Sequence, residues 1–583
     1  MDTILGIDLG TTNSLTAYLA DDGPRVIPNV HGEALTPSVV GVDNNGLLLV
    51  GQAARELQVV EPARCASLFK RFMGSDWSTT LAGQEFTPEA LSGLVLRSLK
   101  HDAEAALGQE IRQAVITVPA YFNDQQRKAT IEAGKMAGLT VERIVNEPTA
   151  AALAYGFHEL AEEKLILVFD LGGGTFDVSI VELFEGSVEV RASSGESFLG
   201  GEDFTRTMAA RVLESNGYPF ERTELESPRL VSRTIQQCEL AKRQLSLEQV
   251  ATVRLCDRDG QYTPDSRTIS VNRADFEQWT RSLLARVELP IRRALGDARL
   301  TRHDINEVVL VGGATRMPAV IEVVRQIFAK EPRHKHDPDE VVALGAAVQA
   351  GLISQHKGVQ DLVVTDVCPF SLGIEVSKSF GRDRHAGYFA PIIHRNTTIP
   401  VSEVRRFSTV DANQTQLCVK VFQGESRRVE GNLLLGEMDV TEIPRGPAGT
   451  ESVDVRFTYD LNGVLEVEAV IMSTKRRFRR LITKHAHGLS PGQIDEAVRA
   501  MSKLKTSPRD ETVNRFLLQR AERVFQELSL MDRDRLSELM DGFEDALGLK
   551  DQQAIERFQH NLVEFLDAHD GRAFDGQAEG GDD

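Results

Sequence analysis

Cysteine is scarce, with five in 583 residues (Cys65, Cys238, Cys256, Cys368, Cys418) and no C-x-x-C pair among them. That excludes a disulfide framework and a zinc ribbon, and it sets the expectation of a reducing, cytoplasmic compartment. Long apolar runs are missing too. No stretch reaches the roughly 20 residues that cross a bilayer, and Met1-Asp2-Thr3 has no basic n-region of a secretory signal. Positive charge is in deficit: the formal net charge is −20 and the pI about 5.2. General nucleic-acid affinity needs a basic footprint and is therefore not expected. What is present is 41% hydrophobic and 26% charged residues, the composition of globular domains with real cores. At about 150 residues each, the length allows roughly four.

Glycine is concentrated where it matters. Residues 167–180 read L-V-F-D-L-G-G-G-T-F-D-V-S-I, a pattern that predicts strand, tight turn, strand. Gly172, Gly173 and Gly174 let the backbone approach a ligand, and successive N–H groups in such a turn make an anion site. Asp170 and Asp177 flank it and are placed to hold a hydrated cation, which together suggests a nucleotide with Mg²⁺. One glycine turn would read as an ordinary hairpin. A second occurs near the N-terminus, I-L-G-I-D-L-G-T-T-N at residues 4–13, with Asp8, Gly10, Thr11, Thr12 and Asn13. Self-similarity at long spacing predicts duplicated halves gripping one polyphosphate.

Strands and helices alternate through the first part of the chain, which predicts an α/β fold. A strand at 114–119 ends in Pro119, and Asn123-Asp124 caps a helix. Asn146-Glu147-Pro148-Thr149 opens another, with Pro148 in its first turn. Val308 to Pro318 is a third glycine-turn candidate through Gly312 and Gly313. Lys70, and the face formed by Glu239, Lys242, Arg243 and Ser246, read by spacing alone as solvated surface. Residues 361–366 (D-L-V-V-T-D) are too apolar for a simple tether and fit a strand that docks. From there to about 485 the period becomes two, with a hairpin signal at Asn462-Gly463, so an antiparallel β domain is expected. Ser490-Pro491-Gly492-Gln493 is a capping box. Helical spacing then predicts a small bundle, and residues 571–583 read as a disordered acidic tail.

Taken together, G-I-D-L-G-T-T-N-S, V-P-A-Y-F-N-D, N-E-P-T-A-A-A-L-A-Y-G, D-L-G-G-G-T-F-D, L-G-G-E-D-F and D-P-D-E-V-V-A-L-G-A-A-V-Q-A resemble the seventy-kilodalton heat-shock chaperone family, of DnaK type. The resemblance covers nearly the whole chain. It implies an actin-like two-lobed ATPase (1–358), a hydrophobic linker (359–367), a β-sandwich peptide-binding domain (368–488), a helical lid (489–570) and the acidic tail. It implies ATP or ADP, Mg²⁺ and K⁺ as ligands. As partners it implies unfolded clients, a J-domain co-chaperone and a nucleotide-exchange factor, with no nucleic acid and no membrane. By motif, Asp8 with Gly10 to Asn13, and Gly172 to Thr175, are the phosphate loops, and Lys70 reaches the attacked phosphate, against its bland reading. Glu147, Asp170, Thr175 and Asp177 position Mg²⁺ and water. Gly200, Gly201, Glu239, Lys242, Arg243, Ser246, Gly312, Gly313, Arg316 and Asp339 complete the nucleotide pocket. Pro119, Arg127, Arg143, Leu362, Val363, Val364 and Asp366 couple nucleotide, linker and J-domain partner. Ile374, Phe407, Val410, Leu417 and Val419 line the peptide site.

The sequence also departs from the family pattern. Ser377 and Val410 stand where an apolar pair closes the arch over the peptide, and Thr365 replaces a linker leucine. The loop at 379–391 is longer and more basic than usual, whereas the basic run at 475–480 reads best as a solvated edge strand. These features suggest a specialised bacterial relative of HscC type. Two rival readings, an actin-fold sugar kinase and a non-hydrolysing holdase, are disfavoured, the first by the linker, β domain and lid, the second by Lys70, Thr175 and Asp177.

Overall fold

Apolar strands ending in glycine turns form the same arrangement twice. The computed structural model describes residues 3–482, except 158–162, 185–186, 265, 334–335, 357–358, 360–362, 381–382 and 461–462. It also describes 517–570, except 519, 522–523, 526–527, 529 and 550–551. The chain divides into two units. Met1–Phe370 and Arg395–Ile399 fall in the first, and Ser371–His394 and Pro400–Thr483, with the C-terminal helices, in the second.

In the first unit, β1 (Ile4–Asp8) enters the first glycine turn and returns as β2 (Asn13–Ala20), followed by β3 (Gly23–Ile27). Next come β4 (Gln113–Val118) and β5 (Thr140–Asn146), then β6 (Lys164–Leu171), β7 (Phe176–Phe184), β8 (Ser187–Glu196), β9 (Glu307–Val311) and β10 (Val363–Val367). One sheet has the order β5-β4-β1-β2-β3. The other runs β9-β6-β7-β8-β10 and ends on Thr398–Ile399. In each, the strand before the turn pairs antiparallel with the strand after it and parallel with a later strand, β4 or β9. The strands β4, β6 and β7 are covered on both faces over most of their length, which is why β4 and β6 read as near-continuous apolar runs.

Helix Val341–Ile353 ties the two sheets together through small residues. A Cβ on Gly345 would lie 1.6 Å from the carbonyl of Ala150, in helix Glu147–Gly156, and one on Gly6 of β1 would lie 2.2 Å from the Ala347 amide. Backbone meets backbone at both points, so only glycine fits. The cap at Asn123 is a full capping box with Gln126. The residues around 363–367 form β10, paired parallel with β8.

The second unit carries β11 (Leu372–Phe380), β12 (Asp383–Ile393), β13 (Val401–Ser408), β14 (Gln416–Gln423), β15 (Leu433–Thr441), β16 (Ser452–Tyr459), β17 (Leu465–Ile471) and β18 (Arg477–Ile482). They make two antiparallel sheets, β12-β11-β14-β15 and β13-β16-β17-β18. The expected alternation is met: Val453, Val455, Phe457 and Tyr459, then Leu465, Val467, Ala469 and Ile471, are buried. Glu466 breaks the alternation, buried but paired with Arg479 of β18 at 2.6 Å. Gly463, at φ 80°, makes the turn between β16 and β17, while Asn462 lies outside the described residues. The basic run falls largely in β18, at the edge of its sheet. Helices Leu530–Leu549 and Gln552–Asp570 bury Leu536, Phe543, Ile555, Leu562 and Leu566 against each other. The capping box at 490–493 and the tail at 571–583 lie outside the described residues.

Candidate functional site

The two glycine turns meet. A Cβ on Gly173 would fall 2.3 Å from the Thr12 hydroxyl, and one on Gly174 would fall 2.4 Å from the Thr11 methyl. Glycine at these positions therefore lets the second loop lie against the threonines of the first. Gly200 closes the other side, because a Cβ there would be 2.4 Å from the Gly174 amide. The Gly201 amide donates to the Gly172 carbonyl at 2.9 Å, and the Glu202 amide to the Gly173 carbonyl at 2.9 Å.

Around these loops sit buried charges. Lys70 is 3% exposed and its Nζ donates to Glu147 Oε1 at 2.6 Å. Thr117 donates to Asp8 at 3.1 Å, and the Tyr121 amide donates to Asp177 at 3.2 Å. Burial, and then the Glu147 charge, push the Asp8 carboxyl up to about 7 and Asp177 to about 8, and hold Asp170 well above the usual carboxylate range. Four carboxylates facing one lysine leave the cluster short of positive charge, which fits a hydrated divalent cation. Among the described residues no group of three or more His, Cys, Asp or Glu is spaced to chelate a metal ion directly. The donor set therefore suits a cation held through its water shell. Thr175 is buried at the end of the second loop.

The residues read as solvated helix face are instead partly interior. On helix Pro228–Leu247, Lys242 donates to the Gly201 carbonyl and the Thr205 hydroxyl, each at 2.9 Å, and pairs with Glu239 at 2.6 Å. Burial alone would raise the Glu239 carboxyl, but Lys242 and the hydrogen bonds around it hold it at about 2. Arg243 donates to Glu239 at 2.8 Å, and Ser246 to the Lys242 carbonyl at 3.3 Å. Gly312, at φ 82°, lies on the second phosphate loop, where a Cβ would meet the Leu171 carbonyl at 2.4 Å. A Cβ on Gly313 would be 2.6 Å from Asp339, which pairs with Arg316 at 3.0 Å. The motif positions 200–201, 239–246, 312–316 and 339 thus gather beside the second loop.

A chain of hydrogen bonds leaves this cluster. Arg127 donates to the Phe122 and Ala120 carbonyls and to Asn146, and the Phe122 amide donates to the Pro119 carbonyl. Asn146 in turn donates to both oxygens of Asp366, at 2.9 and 3.1 Å, and Thr149 donates to the same carboxylate at 3.3 Å. Asp366 is half-buried in β10, and its desolvation there raises its carboxyl. Arg143 lies on β5, three residues before Asn146. Leu362 lies outside the described residues, Val363 opens β10, and Val364 is half-buried.

Three participants escaped sequence reasoning. Arg71 pairs with Asp203 at 2.5 Å and donates to the Gly174 carbonyl at 3.1 Å, fastening the second loop. Arg55 donates to the Thr12 carbonyl, and Ser38 to the Gly10 carbonyl. Of these, only Arg71, beside a motif lysine, carried any signal in the sequence.

In the second unit, strand register decides which residues share a face. Ile374 lies opposite Val421 and Ala390, and Val419 and Leu417 alternate back from Val421, so all five point the same way. Ile374 and Val419 are buried and Leu417 is half-buried. Phe407 is on the other sheet, opposite the buried Val453 and 5.8 Å from the Arg405 guanidinium. Val410 lies in the connection to β14, where its amide donates to Gln414. Ser377 falls at the irregularity between Val376 and Lys378 in β11.

A family model described as Hsp70 protein matches residues 4–575. Chaperone protein DnaK of Thermotoga petrophila is 42% identical over 506 residues, 85% of this chain and 82% of that protein. The proteins of the same name from Thermotoga maritima and Thermotoga neapolitana match to the same extent.

Proposed function

The chain belongs to the Hsp70 family, and on that premise we propose which residues carry its work. It is an ATP-dependent molecular chaperone and an ATPase, using ATP and ADP with Mg²⁺ and binding unfolded polypeptide. Our reading of its parts is an ATPase domain over 1–358, a linker over 359–367, a client-binding sandwich over 368–488 and a lid over 489–570.

Asp8 with Gly10 to Asn13, and Gly172 to Thr175, cradle the phosphates. Lys70 contacts the attacked phosphate, and Glu147, Asp170 and Asp177 orient the attacking water. Asp8, Asp170 and Asp177 would hold Mg²⁺, largely through water, and the ion would supply the neutralisation of phosphate charge that phosphoryl transfer mainly requires. K⁺ is a second cation for the same acidic ground. The adenosine end falls to the pocket of Glu239, Lys242, Arg243, Ser246, Gly312, Gly313, Arg316 and Asp339. Ile374, Phe407, Val410, Leu417 and Val419 take an apolar client side chain, whose burial contributes roughly 1.5–3 kcal/mol. The Arg127–Asn146–Asp366 chain reports nucleotide state to β10, and Arg143 serves the J-domain partner. An exchange factor completes the cycle, in the cytoplasm of a specialised HscC-like system. Among the described residues no helix is long and apolar enough to cross a membrane.

The cluster of buried Glu147, Asp170 and Asp177 and half-buried Asp8 around buried Lys70 carries this reading. Its test is ATP turnover with and without an extended apolar peptide. Turnover that rises with peptide is expected. Turnover indifferent to peptide overturns the coupling, and no turnover overturns the site.

A further inference from the structure

Three cations surround one tyrosine in the second unit. Lys378 Nζ lies 5.4 Å from the Tyr388 ring centroid, Arg427 Cζ 5.6 Å and Arg428 Cζ 3.9 Å. Tyr388 is buried, so the cations cover it. The segment that brings the arginines is pinned along the outer edge of β12: the Phe389 amide donates to the Arg427 carbonyl at 3.0 Å, and Arg428 donates to the Ala386 carbonyl at 3.0 Å. Some cations of this unit have carboxylate partners, as Lys420 has Glu375, Arg406 has Asp454 and Arg479 has Glu466. Lys378, Arg427 and Arg428 have none among the described residues. The ring face offers each cation only about 0.5–1 kcal/mol, and their mutual repulsion is unrelieved. In a chain of net charge −20, this is a local patch of the opposite sign, on the other sheet from the basic run of β18.

We propose that this patch selects clients by charge, accepting Asp and Glu that flank the apolar core of an extended segment. The inference rests on the reading of Ile374, Leu417 and Val419 as the client face. Tyr388 lies opposite Val376, two residues from Ile374 on the same face of the sheet, and Lys378 lies four residues from Ile374 along β11. At about 3.3 Å per residue that is roughly 13 Å, so an extended client anchored at Ile374 brings a residue about four positions away to the cations. The stretch at 379–391, expected as a long loop, is instead mostly strand, with β11 running to Phe380 and β12 starting at Asp383.

The experiment uses the full-length protein with ADP and three labelled peptides that share one apolar core, flanked by Asp-Glu, Ser-Gly or Lys-Arg, read by fluorescence anisotropy. The acidic-flanked peptide is expected to bind about three- to tenfold more tightly than the neutral one at low salt. That margin is expected to close at about 0.5 M salt, where screening is short-ranged. The double variant Lys378→Glu/Arg427→Glu is expected to reverse the order, and neither side chain makes a hydrogen bond whose loss would disturb the fold. Equal binding of all three peptides by the unaltered protein overturns the proposal. So does an acidic preference that survives the variant, or equally tight binding of a single-stranded oligonucleotide. If none of the peptides binds, the client-face reading itself fails, a distinct outcome.

Discussion

The first unit buries three carboxylates, Glu147, Asp170 and Asp177, and a lysine, Lys70, beside a half-buried Asp8, whereas the second buries valine, isoleucine and phenylalanine and leaves most of its charges at the rim. The two interiors answer to different physics. In the cleft each group is held by a specific partner, as Glu147 is by Lys70, and the loops close because glycine lets backbone touch backbone. In the sandwich the interior is set by alternation, and many apolar side chains of similar volume would serve. The cleft is therefore expected to be brittle to single substitutions and the sandwich tolerant.

The same contrast, backbone contact in the first unit against side-chain contact in the second, is sharpest at a pair of helix glycines. Gly345→Ala would drive a methyl into the Ala150 carbonyl, a backbone atom that cannot give way. Gly542→Ala would meet only the ring of the half-exposed Phe558, at 2.4 Å. The first is expected to destabilise by more than about 3 kcal/mol. The second should stay within about 1 kcal/mol, because alanine also favours the helix. Urea melts of both variants check this, and equal losses would remove the distinction. Next in size, Lys70→Ala and Thr175→Ala are expected to lower single-turnover hydrolysis about 10²–10³-fold, while nucleotide and peptide still bind. Unchanged hydrolysis would refute the site. Smaller again, Leu417→Ser removes a half-buried apolar contact and should weaken an apolar peptide about tenfold, with single-turnover hydrolysis unaltered. Peptide affinity indifferent to that change would move the client face elsewhere.

What could be read in advance follows the same division. Asp8 and Asp170 announce themselves because each ends an apolar strand before a glycine turn, and the sandwich announces itself through its period of two. Lys70 does not: it is buried by a tight turn, Phe69–Phe72, entered through Leu68 at φ 58°, and no local pattern marks that geometry. Glu239 and Lys242 have the spacing of any polar helix face. Only the fold brings Gly201 and Thr205 under them. The strand character of residues 363–367 is local, but their parallel pairing with β8, a partner more than 170 residues earlier, has no local signature. In the sandwich, alternation identifies the buried face without saying where that face opens to a client.

A change of pH, with no substitution at all, separates the two interiors by charge alone. Unfolded, the aspartates of the cleft titrate near 3.8, but folded and without nucleotide Asp8 titrates at about 7 and Asp177 at about 8. Between those limits the folded state holds more protons than the unfolded one, so stability falls as pH rises. The contribution is complete below about pH 4 and is lost as pH climbs through 7 to 8. One proton per pH unit corresponds to about 1.4 kcal/mol. Glu239, held at about 2, acts in the opposite sense, and its contribution is lost only in acid, well below this window. The nucleotide-free protein should therefore melt at steadily lower urea concentration from about pH 5 to about pH 9. Saturating Mg²⁺ and ADP should flatten that slope, because positive charge then stands where protons stood, and Asp177→Asn should flatten it without ligand. Identical slopes with and without nucleotide would mean that the aspartates do not face the cation. The first unit would then owe its acid-side stability to some other group, and the contrast with the sandwich would rest on packing alone.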